Sequence, residues 1–222
     1  MLTFAIGDIH GCLDQLTELL AQCRRFANDQ PSKFIFLGDY IDRGPDSRGV
    51  IQTIMDMQAD DPPSVIALAG NHEDLFLGSH TNDGMGHWLA NGGSATLRSY
   101  DVTSPIDMPS NHTAWIRNLP VVHDDGLRLF VHAGIRPGVL LEQQTRDDML
   151  WIRSEFLNST ADHGKLVIHG HTVRRDRKPE SLGNRVNVDT GAFRGGPLTA
   201  AVFIDSERMP VDFLQALPRS VE

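Results

Sequence analysis

Thr3-Phe4-Ala5-Ile6-Gly7-Asp8-Ile9-His10-Gly11 is a short apolar run that stops on glycine and then presents an aspartate and a histidine. The pattern recurs in Phe34-Ile35-Phe36-Leu37-Gly38-Asp39-Tyr40-Ile41-Asp42-Arg43-Gly44 and in Val65-Ile66-Ala67-Leu68-Ala69-Gly70-Asn71-His72-Glu73. Continuous apolar runs of this length, β-branched or aromatic and bounded by glycine, read as strands buried on both faces. Further runs of this kind fall at residues 127–131, 166–168, 186–188 and 200–204.

Helical periodicity separates the first three runs. Leu13, Leu16, Leu19, Leu20, Cys23 and Phe26 share one face. Val50, Ile51, Ile54, Met55 and Met57 follow Pro45, a good first-turn residue. A third helix is expected from about Asn71, carrying Leu75, Phe76 and Leu77. A β-α-β-α-β-α start predicts a parallel sheet with right-handed crossovers. Strand-and-turn signals in the last third predict a second sheet.

Between residues 79 and 125 the pattern weakens into Gly, Asn, Ser, Pro and His, with helices expected near 85–89 and 111–118. An irregular stretch of this size reads as a cap or substrate-cleft insertion in a single domain spanning 1–222. Trp88, Trp115 and Trp151 are expected to be packing anchors.

The chain has 222 residues, a one-domain length for an α/β fold, and its net charge is −9. An acidic balance argues against a general nucleic-acid binder. It does not exclude an anionic substrate at a site that carries metal charge. Cys12 and Cys23 read as reduced core residues on one helix. No signal peptide and no apolar run of membrane-spanning length is visible, so a cytoplasmic protein without membrane contact is expected.

The chemistry lies at the ends of the runs. Asp8 and His10 stand two apart, so strand alternation would place both on one face. Asp39 has two oxygens and could bridge two ions. Asn71 offers a neutral oxygen, and His132 and His171 offer imidazole nitrogens. Such a mixed N/O shell suits Mn, Fe or Zn better than Ca or Mg. Two divalent ions with Asp8 and Asp39 would leave a site charge of about +2, able to hold a phosphate. Two ions roughly 3.5–4 Å apart would also generate a bridging hydroxide nucleophile. Arg43 and Arg153 are candidates to bind phosphoryl oxygens through their guanidinium forks. His72 is the candidate general acid, with Asp42 to fix its tautomer and keep it protonated.

Each block alone has an ordinary reading. Asp8 beside glycine is turn chemistry. Asn71 could be a helix N-cap and Glu73 a first-turn acid. Only their convergence in one chain points to a two-metal phosphoester-cleaving site. His80, His87, His112, His123 and His163 are expected to be solvated, and His169 a neighbour of the site. Arg174-Arg175-Asp176-Arg177-Lys178 is a basic cluster that reads as a solvated turn or as an attractor for phosphorylated substrates.

Together, Gly-Asp-Ile-His-Gly, Gly-Asp-Tyr-Ile-Asp-Arg-Gly, Gly-Asn-His-Glu, His-Ala-Gly and Gly-His-Thr resemble the phosphoprotein phosphatase family of calcineurin-like metallophosphoesterases. The small bacterial and bacteriophage lambda-type members are the most similar. The resemblance implies two packed mixed β-sheets flanked by helices, an α/β fold of the αββα sandwich type. It implies that Asp8, His10 and Asp39 hold one metal, and Asp39, Asn71, His132 and His171 the other. His72 would be the acid, paired with Asp42, and Arg43 and Arg153 would bind phosphate. It further implies Mn²⁺ as the supporting metal and phosphoserine or phosphothreonine in a protein or peptide as substrate. No nucleic-acid partner or regulatory subunit is expected. Symmetrical dinucleoside tetraphosphate hydrolases share much of the pattern, and a broad-specificity phosphoesterase is a further alternative. Asp42-Arg43-Gly44 and His72-Glu73 favour the phosphatase.

Overall fold

The computed structural model describes residues 1–219, so positions 220–222 of the expected domain lie outside the described residues. The first sheet contains β1 (Leu2–Ile6), β2 (Ser32–Phe36), β3 (Val65–Ala67), β9 (Leu198–Ile204) and β10 (Asp212–Ala216) in the order β10-β9-β1-β2-β3. The second contains β4 (Val122–Asp124), β5 (Arg128–Val131), β6 (Leu166–His169), β7 (Glu180–Ser181) and β8 (Arg185–Asn187) in the order β4-β5-β6-β8-β7. Both sheets are mixed. β1-β2-β3 and β5-β6-β8 run parallel, and antiparallel strands complete the edges.

Side-chain alternation builds the layers. From the first sheet Ala5, Ile35, Leu68 and Phe203 face Phe130, Leu166, Ile168 and Val186 of the second, and this is the inter-sheet core. The opposite faces of β1 and β2 (Phe4, Ile6, Phe34, Phe36) meet α1 (Leu13–Ala27) and α2 (Ser47–Asp60) through Leu16, Leu19, Cys23, Ile51 and Ile54. On the outer side of the second sheet, Leu129, Val131 and Val167 pack under Met149 of α7 (Arg146–Trp151) and Phe156 of α8 (Ser154–Leu157). The expected αββα sandwich is the observed fold. A strand buried on both faces needs apolar residues at both parities, which is why β1 and β2 show no polar alternation.

Several local expectations are corrected. α2 begins at Ser47 with Asp46 as its cap, Asp46 Oδ1 accepting from Gly49 N at 2.7 Å, so Pro45 lies ahead of the first turn. α3 (Asn71–Gly78) is preceded by Gly70, so Asn71 is its first residue and not its cap. The 79–125 stretch contains α4 (Asn82–Trp88), α5 (Ser94–Tyr100) and α6 (Ser110–Arg117), of which the second had no clear periodic signal. Short edge strands β4, β7 and β10 also escaped the sequence pattern. Cys12 precedes α1, while Cys23 lies within it. Both thiols are free and buried, and burial pushes them up to about 11 and about 12, so neither is a ready thiolate. Among the described residues, no helix is long and apolar enough to cross a membrane.

Candidate active site

Loops following the parallel strands of both sheets meet at one end of the sandwich. β1 leads to Asp8 and His10, β2 to Asp39 and Asp42, and β3 to Asn71 and His72; β5 leads to His132 and β6 to His171. All eight are buried. Strand alternation is not what aligns Asp8 with His10, because β1 ends at Ile6 and His10 has a φ of 47°. Asp39, Asp42, Arg43 and His171 are also in the left-handed region, with φ of 55°, 71°, 69° and 65°. Asp and His tolerate this region better than most residues, and such backbone strain gathers at functional sites.

His171 shows what the left-handed turn achieves. It follows His169 by two, yet His169 packs its ring on Phe156 at 5.0 Å, on the outer side of the second sheet. The reversal at His171 swings its Nδ1 inward, to 2.8 Å from Asn71 Oδ1 and 3.2 Å from His132 Nε2. Gly170 makes room, since a Cβ there would collide with Asp8 Oδ1. Gly44 has the same function beside the backbone oxygen of His10. These two glycines allow close approach and have no need of a positive φ.

Backbone carbonyls orient the imidazoles. His10 Nδ1 donates to Ile41 O at 2.8 Å, and His132 Nδ1 donates to Leu37 O at 2.9 Å. A carbonyl can only accept, so in the neutral rings each Nε2 carries a lone pair, and that tautomer suits a metal ligand. His10 Nε2 lies 3.3 Å from Asp39 Oδ2, and His132 Nε2 lies 3.5 Å from Asp39 Oδ1. Asp39 therefore stands with one oxygen toward each imidazole. His132 Nε2 also faces Asn71 Oδ1 at 2.9 Å. Two acceptors pointed at each other without a proton between them are stabilised by a cation. Two overlapping sets of metal-capable atoms share Asp39: Asp8, Asp39 and His132, and His10, Asp39 and His72. Burial and neighbouring imidazoles together hold the second-sheet histidines His132 and His171 neutral, His171 being pushed down to about 2. The buried donors thus fit a metal centre in number, type and protonation.

His72 differs from the other histidines. Its Nδ1 is 2.7 Å from Asp42 Oδ2, and its Nε2 is buried without a protein partner. Burial disfavours the imidazolium, but Asp39 and Asp42 outweigh it and raise the His72 pKa above the ordinary value. Asp42 is itself clamped. Trp88 Nε1 donates to both of its oxygens at 3.0 Å, and Thr96 Oγ1 donates to Oδ1 at 2.6 Å. Trp88 and Thr96 belong to the 79–125 stretch, so that segment touches the site through Asp42. Trp88 is thus both the expected packing anchor and a hydrogen-bond donor. Trp151 is half-exposed, its ring 6.2 Å from that of His171, and it is less of an anchor than expected.

Glu73 is a further surprise. Its carboxylate accepts backbone N–H groups from Asp39, Tyr40 and Gly70 at 2.8 to 2.9 Å and from Ile41 at 3.4 Å. It latches the Asp39 loop to the start of α3. Burial and the nearby Asp39 push its carboxyl up to about 7, against the pull of those N–H groups.

Asp189, after β8, escaped the sequence pattern, because in Val186-Asn187-Val188-Asp189-Thr190-Gly191 the run is broken by Asn187 and the glycine follows the aspartate instead of preceding it. It is buried, faces Asp8 and is pushed up to about 6 by burial and by Asp39. His112 is buried between Tyr100 and Gln52 and is not solvated as expected.

The donors open into a pocket of about 160 Å³, walled by Arg43, Arg153, Thr172, Phe193 and Arg194 and floored by Asp39 and Asn71. Arg43 Nη1 lies 2.7 Å from His10 Nε2, and Arg153 Nη1 donates to Thr172 Oγ1 at 3.1 Å. A larger, mainly apolar groove of about 480 Å³ lies beside Leu129 and Val167 and has no such convergence of polar donors.

A buried His/Asp/Asn cluster at the strand ends of an αββα sandwich, opening between arginines, is the site of a metallophosphoesterase. Residues 1–197 match the calcineurin-like phosphoesterase family, and the chain belongs to it. It is a hydrolase of phosphoesters. The serine/threonine-protein phosphatase 1 of Salmonella typhimurium is 30% identical over 89% of this chain and 90% of its own length. An asymmetrical bis(5'-nucleosyl)-tetraphosphatase of Anoxybacillus flavithermus is 27% identical over 93% and 92%. The cold-active protein-tyrosine phosphatase of a Shewanella species superposes with a TM-score of 0.65 at 15% identity, over 97% of this chain and 80% of that one. That likeness is one of fold, which does not fix the substrate.

Proposed function

We propose that the chain removes phosphate from phosphoserine or phosphothreonine in proteins, using two divalent ions, Mn²⁺ foremost. The observation that carries this reading is the size of the pocket. At about 160 Å³ it is well below the roughly 300–1,000 Å³ of sites that enclose a whole small molecule. One phosphoryl group can enter while the body of the substrate stays on the surface, which suits a phosphorylated protein. The near full-length likeness to a serine/threonine phosphatase supports it.

In this reading Asp8, His10 and Asp39 would hold one ion, and Asp39, Asn71, His132 and His171 the other. When bound, the pair would acidify a water to serve as nucleophile and neutralise phosphoryl charge. The protein does the rest. Arg43 and Arg153 orient the phosphoryl oxygens with paired N–H donors. His72, kept protonated by Asp42, delivers the Nε2 proton to the departing serine or threonine oxygen. Trp88 and Thr96 keep Asp42 from turning away. The 79–125 segment as substrate-side cap of a single domain belongs to the same proposal.

A second reading, cleavage of a dinucleoside polyphosphate, is favoured by the asymmetrical tetraphosphatase likeness and by Trp151, on whose half-exposed ring a base could stack. The test is hydrolysis of a phosphoserine peptide, read as phosphate released, and of diadenosine tetraphosphate, read as mononucleotides released, with Mn²⁺ and after chelation. The proposal expects the peptide to be the better substrate and chelation to abolish turnover reversibly. Activity that survives chelation, or is confined to the dinucleotide, would refute it.

A further inference from the structure

Arg43 and Arg153 already suffice to hold one phosphoryl group, yet a third guanidinium stands at the mouth of the pocket. Arg194 comes from the short helical turn Ala192–Arg194, set between Gly191 and Gly195 at φ of 74° and 78°. Its Cζ lies 5.0 Å from the centroid of the Phe193 ring, and Arg43 Cζ lies 4.5 Å from the same centroid. Phe193 in turn packs edge-on against His10 at 4.7 Å. Phe193 is therefore a spacer that fixes Arg194 outward of Arg43. Arg194 is exposed, and its side chain forms no ion pair with any described residue.

The basic cluster at 174–178 continues this surface. Val173 lines the pocket and packs against Gly191, and Arg177 Nη1 lies 3.9 Å from where a Cβ on Gly195 would stand. Arg174 is neutralised by Asp176 and Glu180, and Glu180 also meets Arg185. Arg175, Arg177 and Lys178 are exposed and unpaired among the described residues. A basic strip thus runs outward from the metal pocket on a chain whose net charge is −9.

We propose that Arg194, Arg177 and Lys178 form a second anion-binding strip that selects phosphopeptides with acidic side chains flanking the phosphorylated residue. This rests on the phosphoprotein reading. The charges lie along an open surface, matching side chains spaced along an extended peptide at about 3.3 Å per residue. A polyphosphate chain would be drawn into the pocket, between Arg43 and Arg153. The Phe193 ring is covered by two guanidiniums and offers a base little to stack on.

The test compares kcat/KM of the Mn²⁺-loaded protein on two phosphoserine peptides that differ only in flanks of Asp and Glu or of Asn and Gln. Diadenosine tetraphosphate is the third substrate. The acidic peptide should be favoured by about five- to tenfold at low salt, from several exposed pairs acting together. The preference should fade at 0.5 M salt, as screening within about 10 Å requires. Arg177→Glu with Arg194→Glu should remove or invert it, and Arg177→Lys should retain it. Equal rates on the two peptides, or a preference indifferent to charge reversal, would overturn the strip while leaving the phosphoprotein reading intact. Hydrolysis of the dinucleotide with neither peptide cleaved would overturn both.

Discussion

The two sheets bring different chemistry to the site and hold it differently. The first-sheet edge supplies Asp8, His10, Asp39, Asp42, Asn71 and His72, and its loops are bonded to one another. Ile9 N and His10 N donate to Asp39 O at 3.1 and 2.8 Å, Gly11 N donates to Tyr40 O at 2.8 Å, and Glu73 gathers four more N–H groups. The second-sheet edge supplies imidazoles, and these lean on the first. His132 is held by Leu37 O, and His171 N donates to both oxygens of Asp8 at 3.1 Å. Changes at the first edge should therefore disturb backbone and chemistry together, and changes at the second should act mainly on ligand supply.

The largest effect is expected at His72. His72→Asn should lower turnover by roughly 10²–10⁴ if it is the acid. Thermal stability should fall as well, because the buried Asp42 loses its imidazole partner and keeps only its bonds to Trp88 and Thr96; an unchanged rate would remove His72 from the mechanism. Next comes Glu73→Gln, which sets an amide against N–H groups that need an acceptor. A loss of about 3 kcal/mol in denaturant unfolding is expected. His171→Asn on the opposite edge should lose less stability and more Mn²⁺ by elemental analysis. If the two variants behave alike, the contrast between the edges is broken.

A smaller effect is expected at His169, whose pKa burial pushes down to about 3. Above pH 6.5 the ring is neutral both folded and unfolded. As pH falls below 6.5 only the unfolded chain takes up the proton, so stability is lost. By pH 5 the loss is about 2 kcal/mol, and His169→Gln should narrow the gap in melting temperature between pH 7 and pH 5 accordingly. The smallest effect is expected at Trp88→Phe. It removes one donor from Asp42, and turnover should fall roughly tenfold, matching about 1.5 kcal/mol for a hydrogen bond to a charged group. A wild-type rate in this variant would make Trp88 a packing residue only.

The contrast also shows what a sequence can reveal. Asp39 and Asn71 were legible because an apolar run, a glycine and a polar residue are neighbours in the chain. The sandwich was legible for the same reason, since β1, β2 and β9 carry their burial in consecutive residues. Glu73 was not, because the amides it holds at Asp39, Tyr40 and Ile41 lie more than thirty positions away. Trp88 and Thr96 meet Asp42 across 46 and 54 positions, from a stretch with no regular period. Alternation would put His169 and His171 on one face, because the reversal between them is a backbone torsion; only the Gly-His-Thr context of His171 distinguishes it in the sequence. Asp189 was only half legible, since a short strand leads to it but no glycine precedes it.

The left-handed residues carry a consequence for engineering. Glycine is the residue that a backbone at φ of 47° to 71° would choose, and His10, Asp39, Asp42, Arg43 and His171 occupy such positions. A stability-guided redesign of this chain would be drawn to replace them with glycine and would discard the centre one side chain at a time. Positions where the torsion asks for one residue and the chain keeps another can serve as a search criterion. Applied to other members of the fold, it needs burial beside it, because Asn28, Asp29, Asp101 and Arg177 of this chain share the torsion while standing exposed outside the centre.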